Sequence, residues 1–133
     1  MDRNELVMST NDAATLAAVL ATFSTREAPA PGAAVELAEI LAGVTLVPNA
    51  AARDVIGLDA EVTYIELPRG RARTVRLVHP AAADPAAARV SVFAPVARAL
   101  LGRRAGARVQ VALPDGEIDE LHVVAVRPAG RRP

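Results

Sequence analysis

Carboxylates crowd one short stretch of this sequence: Asp115, Glu117, Asp119 and Glu120 surround Gly116 and Ile118. That density suggests calcium. A calcium loop, however, needs alternating oxygen ligands and a distant bidentate glutamate, so turn chemistry followed by a solvated strand face explains the stretch better. Two histidines, His79 and His122, offer general bases, but they lie far apart and no nucleophile or orienting acid is spaced to help either. Each reads as a surface or half-buried strand histidine. The arginines fall into two groups, Arg69, Arg71, Arg73 and Arg76, then Arg98, Arg103, Arg104 and Arg108. Such groups suit phosphate or an acidic protein surface. No aromatic residues interleave with them as a base-stacking platform requires, which favours a protein partner or a solvated face over sequence-specific nucleic-acid binding.

Several chemistries are excluded outright. The chain has no lysine, so a G-x-x-x-x-G-K-[ST] phosphate loop is impossible, and no cysteine, so disulfides and thiolate metal sites are too. Patterns of the G-x-G-x-x-G, G-x-S-x-G and H-E-x-x-H types are absent. No catalytic residue, metal site or cofactor is expected.

The elements that position these residues must come from 133 residues, one domain or a domain with a small appendage. Alanine is abundant, and Phe23, Tyr64 and Phe93 are the only aromatic residues. The core must therefore rest on Leu, Val and Ile, each worth about 1.5–3 kcal/mol when fully buried. Net charge is zero but unevenly spread: residues 1–57 carry seven acids against three arginines (−4), and the remainder eight acids against twelve arginines (+4). That change of sign divides the chain into 1–57 and 58–133. No apolar run approaches the roughly 18–20 residues that span a bilayer. The N-terminus lacks a signal-peptide profile, so a cytoplasmic location and no membrane contact are expected.

Residues 1–9 show no periodicity and read as a loose lead-in. Thr10 or Asn11 can cap a helix with Asp12 in its first turn, and Leu16, Val19, Leu20 and Phe23 give it one apolar face. Ser24 to Gly32 breaks it with two prolines and a glycine. A second helix fits Ala33 to Ala42, with Leu37, Ile40, Leu41 and Val44 on one side and Glu36 and Glu39 facing out. The pair makes a helical hairpin about 18 Å long, from about 1.5 Å of rise per residue. Thr45 to Gly57 reads as a connector with a turn at Pro48-Asn49 and one helical turn at Ala50 to Arg53.

From Leu58 onward the period is that of strands. Ala60 to Leu67, a Pro68-Arg69-Gly70 turn and Arg71 to His79 form a hairpin. Pro80 to Ala88 is a loop with one helical turn around Pro85. A strand follows at Arg89 to Phe93, then a short helix opened by Pro95 and closed by Gly102, the asymmetry expected of those two residues. A turn through Gly106 leads to a strand at Arg108 to Leu113, a Pro114-Asp115-Gly116 hairpin and a last strand at Glu117 to Val126. The tail Pro128 to Pro133 has no reason to be ordered. The result is an α+β domain of four or five antiparallel strands with one short helix, preceded by a short helical hairpin.

Val90 to Arg103, V-S-V-F-A-P-V-A-R-A-L-L-G-R, resembles the I-S-V-x-[SA]-P-[IV]-[AG]-x-[AG]-L-[IL]-G pattern of the bacterial Gre transcript-cleavage factors. The likeness continues through Gly106 and the L-P-D-G-E hairpin, and upstream through V-R-L-V-H-P at Val75 to Pro80. It covers roughly Leu58 to Val126 and looks most like short Gre-domain proteins such as the regulator of nucleoside diphosphate kinase (Rnk). The resemblance implies an FKBP-like C-terminal domain that docks onto a coiled coil of the largest RNA polymerase subunit, at the rim of the secondary channel. Contact with nucleic acid is then only indirect.

In cleavage-competent members a long coiled coil carries paired acids that help hold magnesium in the polymerase active centre. Here the hairpin is short, and its tip offers the single acid Glu27 beside Arg26. The implied function is that of a non-enzymatic transcription regulator that competes with cleavage factors without stimulating cleavage. The resemblance places the docking surface on Ser91, Phe93, Pro95, Val96 and Arg98. Phe93 is either an exposed anchor or turned inward to fill an alanine-rich core. Two other readings stand beside this one: the fold reused as an interaction module for another partner, and a peptidyl-prolyl isomerase. The second needs an aromatic-lined pocket, for which only Tyr64 and Phe93 are present.

Overall fold

Apolar side chains at every second position build the main sheet. A computed structural model describes residues 5–22, 32–52, 54–67, 69–112 and 116–128. In chain order the elements are β1 (Val7–Ser9), α1 (Thr10–Thr22), α2 (Ala33–Gly43), β2 (Thr45–Val47), β3 (Glu61–Leu67), β4 (Arg71–Val78), β5 (Arg89–Ser91), α3 (Pro95–Leu100), β6 (Arg108–Ala112) and β7 (Ile118–Arg127). Short 3-10 turns occupy Asn49–Ala52, Pro80–Ala82 and Pro85–Ala87. Phe23, the hairpin tip with Arg26 and Glu27, Pro68, the Leu113-Pro114-Asp115 part of the last hairpin and the tail from Ala129 lie outside the described residues.

Five strands form one sheet in the order β5-β4-β3-β7-β6. Val62, Tyr64, Val75, Leu77, Val109, Val111, Leu121 and Val123 are all buried on its inner face, and alternation sends their neighbours outward. One irregularity keeps that pattern in phase. Val62 pairs with Val126 but Tyr64 pairs with Val123, so Val124 is the extra residue of a bulge. Two inward β3 residues spaced by two can thereby meet two β7 residues spaced by three.

The β3–β4 and β6–β7 pairs are antiparallel as expected. β5 is not: it lies parallel to β4, reached by the two 3-10 turns after His79. It is also shorter than expected, because Val92 and Phe93 form a turn. The Phe93 N–H donates to Ser91 Oγ at 3.0 Å, and the Ala94 N–H to the Ser91 carbonyl at 2.9 Å. A serine bonded in this way diverts the chain before Pro95 starts α3. Gly102 closes α3 in the left-handed region, φ +82°, where a Cβ would stand 3.3 Å from Leu6 Cβ.

Two expectations for the first half need correction. The lead-in contains β1, which buries Val7 and Met8 and pairs in parallel with β2, inside the presumed connector. The Val7 N–H also donates to the Gly102 carbonyl at 3.0 Å. Three-residue strands are too short for periodicity to reveal. The cap of α1 is Ser9 rather than Thr10 or Asn11: its Oγ accepts from the Asp12 N–H at 3.0 Å.

The helices pack on each other and on the sheet. Met8, Leu16, Val19, Ala33, Leu37 and Ile56 share one buried cluster with Phe93, Leu100, Leu101 and the inner sheet face. Asp12 ties the start of α1 to the segment before β3, since its Oδ2 accepts from the Leu58 N–H at 3.2 Å. Burial raises the Asp12 carboxyl above its ordinary value; the Leu58 hydrogen bond opposes this, and the charge of Asp59 adds to it.

Candidate functional site

The turn at Ser91 and the cap at Pro95 decide which way each candidate residue faces. Ser91 is half-buried, with its hydroxyl engaged by the backbone of Phe93. Phe93 itself is 2% exposed and is among the largest fully buried side chains. It fills the core, the second of the two orientations open to it from the sequence, so it is not part of an exposed docking surface. Pro95 is exposed, Val96 half-buried, and the Arg98 side chain 14% exposed. α3 therefore presents Pro95, Val96 and the edge of Arg98 outward, while Ala97 and Leu100 anchor it inward.

Arg98 joins α3 to α2, its Nη1 lying 3.4 Å from Glu36 Oε1. Beside this pair an open cleft of about 430 Å³ runs between α2, α3 and β6, lined by Leu6, Glu36, Ile40, Pro95, Arg98 and Gln110 among others. From helical spacing Glu36 reads only as an outward-facing residue, and no local spacing connects it with Arg98. The cleft was likewise invisible, because it forms between elements far apart in the chain.

Several of the remaining chemistry-bearing residues make structural contacts. Arg71 and Arg73 flank Glu66 at 3.4 and 3.2 Å, and Arg76 donates to the Asp59 carbonyl at 2.9 Å. Arg104 pairs with Asp54, and Arg108 with Glu120 at 3.3 Å. Exposed pairs of this kind contribute little stability, but they neutralise much of the positive charge that a phosphate platform would need. Pairing also gives Glu120 of the acidic stretch a role without a metal. His79 Nδ1 accepts from the Ala81 N–H at 3.0 Å, capping a 3-10 turn, while His122 sits on β7 opposite Ile65 and Arg108. Tyr64 and Phe93 are both buried and neither lines this cleft, so the cleft lacks the aromatic lining that an isomerase pocket needs.

Residues 50–128 match the family model for the C-terminal domain of transcription elongation factors GreA/GreB. Transcription elongation factor GreA of Geobacillus kaustophilus (strain HTA426) is 45% identical over 74 residues, 56% of this chain and 46% of that protein. GreA of Bacillus subtilis (strain 168) is 31% identical over 87 residues, 65% of this chain and 55% of that one. The chain spans about half the length of the curated relatives it matches. The solved GreA/GreB elongation factor from Nitrosomonas europaea superposes with a TM-score of 0.73 at 26% identity, over 93% of this chain and 98% of that one. That match reaches beyond the family-model region to include helices of the first half. Gfh1 of Thermus aquaticus shares the fold, with a TM-score of 0.51 at 21% identity over 96% of this chain and all of the other. No helix among the described residues is long and apolar enough to cross a membrane.

Proposed function

The chain belongs to the GreA/GreB family of transcription elongation factors, and from that premise we propose that it binds RNA polymerase near the secondary channel, competes there with cleavage factors, and does not stimulate transcript cleavage. The observation that carries this reading is the length and seating of the helical pair. Among the described residues α1 has 13 residues and α2 has 11, which at about 1.5 Å per residue is roughly 20 and 17 Å. Leu16, Val19 and Leu37 hold both helices in the core, leaving still less length to project. The segment between the helices carries one acid, Glu27, beside Arg26. Positioning a catalytic magnesium takes carboxylates within coordination distance of it, and the segment joining the helices has no pair to bring there.

In this reading Pro95, Val96 and Arg98 meet the coiled coil of the largest polymerase subunit, and Phe93 supports them from below. Pro95→Asp is the appropriate probe. Aspartate is favourable at the first position of a helix, so the fold should hold while the exposed apolar surface is lost. Wild-type protein should co-purify with core polymerase from a cognate lysate and Pro95→Asp should not. Absence of any complex at micromolar concentrations of purified components would overturn the proposal.

A further inference from the structure

β6 is the last strand of the sheet, with β7 as its sole strand neighbour among the described residues. The Val123 N–H donates to the Ala107 carbonyl at 2.9 Å, which sets the phase of the pairing. Alternation then directs the N–H and C=O groups of Val109 and Val111 toward β7, and those of Arg108, Gln110 and Ala112 toward the free edge. Natural sheets usually blunt such an edge with charge, proline or a covering element. Here the edge instead faces the cleft, whose lining includes Gln110, Val111 and Ala112 of β6 together with residues of α2 and α3.

We infer that this cleft is a docking groove for an extended segment of another protein, which adds to β6 as a sixth strand. Its walls decide the occupant. An extended single strand brings its own backbone N–H and C=O groups to the edge-facing groups of Arg108, Gln110 and Ala112, beside cleft-lining residues of α2 and α3. Alternate side chains of the added strand would rest on Leu6, Ile40, Pro95 and Ala99, all lining the cleft. The α2 wall carries two exposed acids, Glu36 and Glu39, against the single Arg98 opposite. That surplus selects a segment carrying a basic side chain. The inference goes beyond polymerase docking, although Pro95 and Arg98 take part in both, and it is tested without polymerase.

The probe is a fluorescein-labelled, end-blocked nonapeptide of alternating valine and lysine, titrated with the full chain and read by anisotropy. Saturable binding in the micromolar range is expected. Gln110→Pro should weaken it at least tenfold, because proline removes an edge-facing N–H without costing a bond to β7, and a circular dichroism spectrum confirms that the variant folds. Glu36→Gln combined with Glu39→Gln should weaken it severalfold through charge alone. In wild-type protein, amide chemical-shift changes should centre on Arg108–Ala112. No binding at millimolar protein, equal binding by Gln110→Pro, or shift changes confined to the outer sheet face would overturn the inference. So would a concentration-dependent dimer of the protein alone that Gln110→Pro abolishes, which would assign the edge to a second copy.

Discussion

Phe93→Ala is expected to destabilise the protein by about 3–5 kcal/mol, the usual cost of emptying a buried phenylalanine site. Phe93 is 2% exposed and shares its cluster with Ala97, Leu100 and Leu101. With alanine supplying so much of this chain, few neighbours are large enough to collapse into the space. Against a typical total stability of about 5–15 kcal/mol, such a loss leaves the domain marginal. Urea denaturation should show a lower midpoint with an unchanged slope. A change under 1 kcal/mol would mean that the ring is not the core residue described here. The result also bears on function: a charged substitution at Phe93 would unfold the domain rather than test its docking, and for that reason Pro95 is the residue to vary.

A second large effect is expected at the contact between the two halves of the chain. A Cβ on Gly57 would collide with Asp12 Oδ2. The carboxylate could swing away only by releasing the half-buried Leu58 N–H, and a donor left unpaired there costs up to about 1–3 kcal/mol. Gly57→Ala should lose that much, yet lose little further stability in an Asp12→Ala background, where the colliding group is gone. Additive losses in the double variant would contradict the contact.

Asp12 also predicts a pH effect. Its carboxyl is raised by burial, so the folded state holds this proton more tightly than the unfolded chain. The contribution is fully present below the ordinary carboxylate value and is lost as pH rises through the raised one. Asp12→Asn keeps an acceptor for Leu58 and should flatten stability against pH across that window.

Local punctuation in the sequence proved readable, and tertiary placement did not. Pro95 and Gly102 bound α3 as their conformational limits require, and the alternation from Glu61 to Val78 yields its hairpin. Phe93 could not be oriented in advance, because a residue in a turn has no period; its direction depends on the hydroxyl of Ser91 two positions earlier. β1 and β2 escaped notice because each has only three residues and finds its partner across α1 and α2. Of the candidate surface, Pro95, Val96 and Arg98 were legible as a motif. The Glu36 carboxylate against Arg98, and the cleft beside β6, arise only when α2 and α3 come together.

The central claim is occupancy of the polymerase channel site without cleavage, and a backtracked elongation complex tests it most directly. Excess protein added alone should leave the transcript uncut. Added together with a cognate cleavage factor, it should slow that factor's cleavage in proportion to its concentration, and Pro95→Asp should not. Rapid shortening of the transcript 3′ end by this protein alone, or cleavage by the cognate factor that stays unchanged at any excess, would contradict the account.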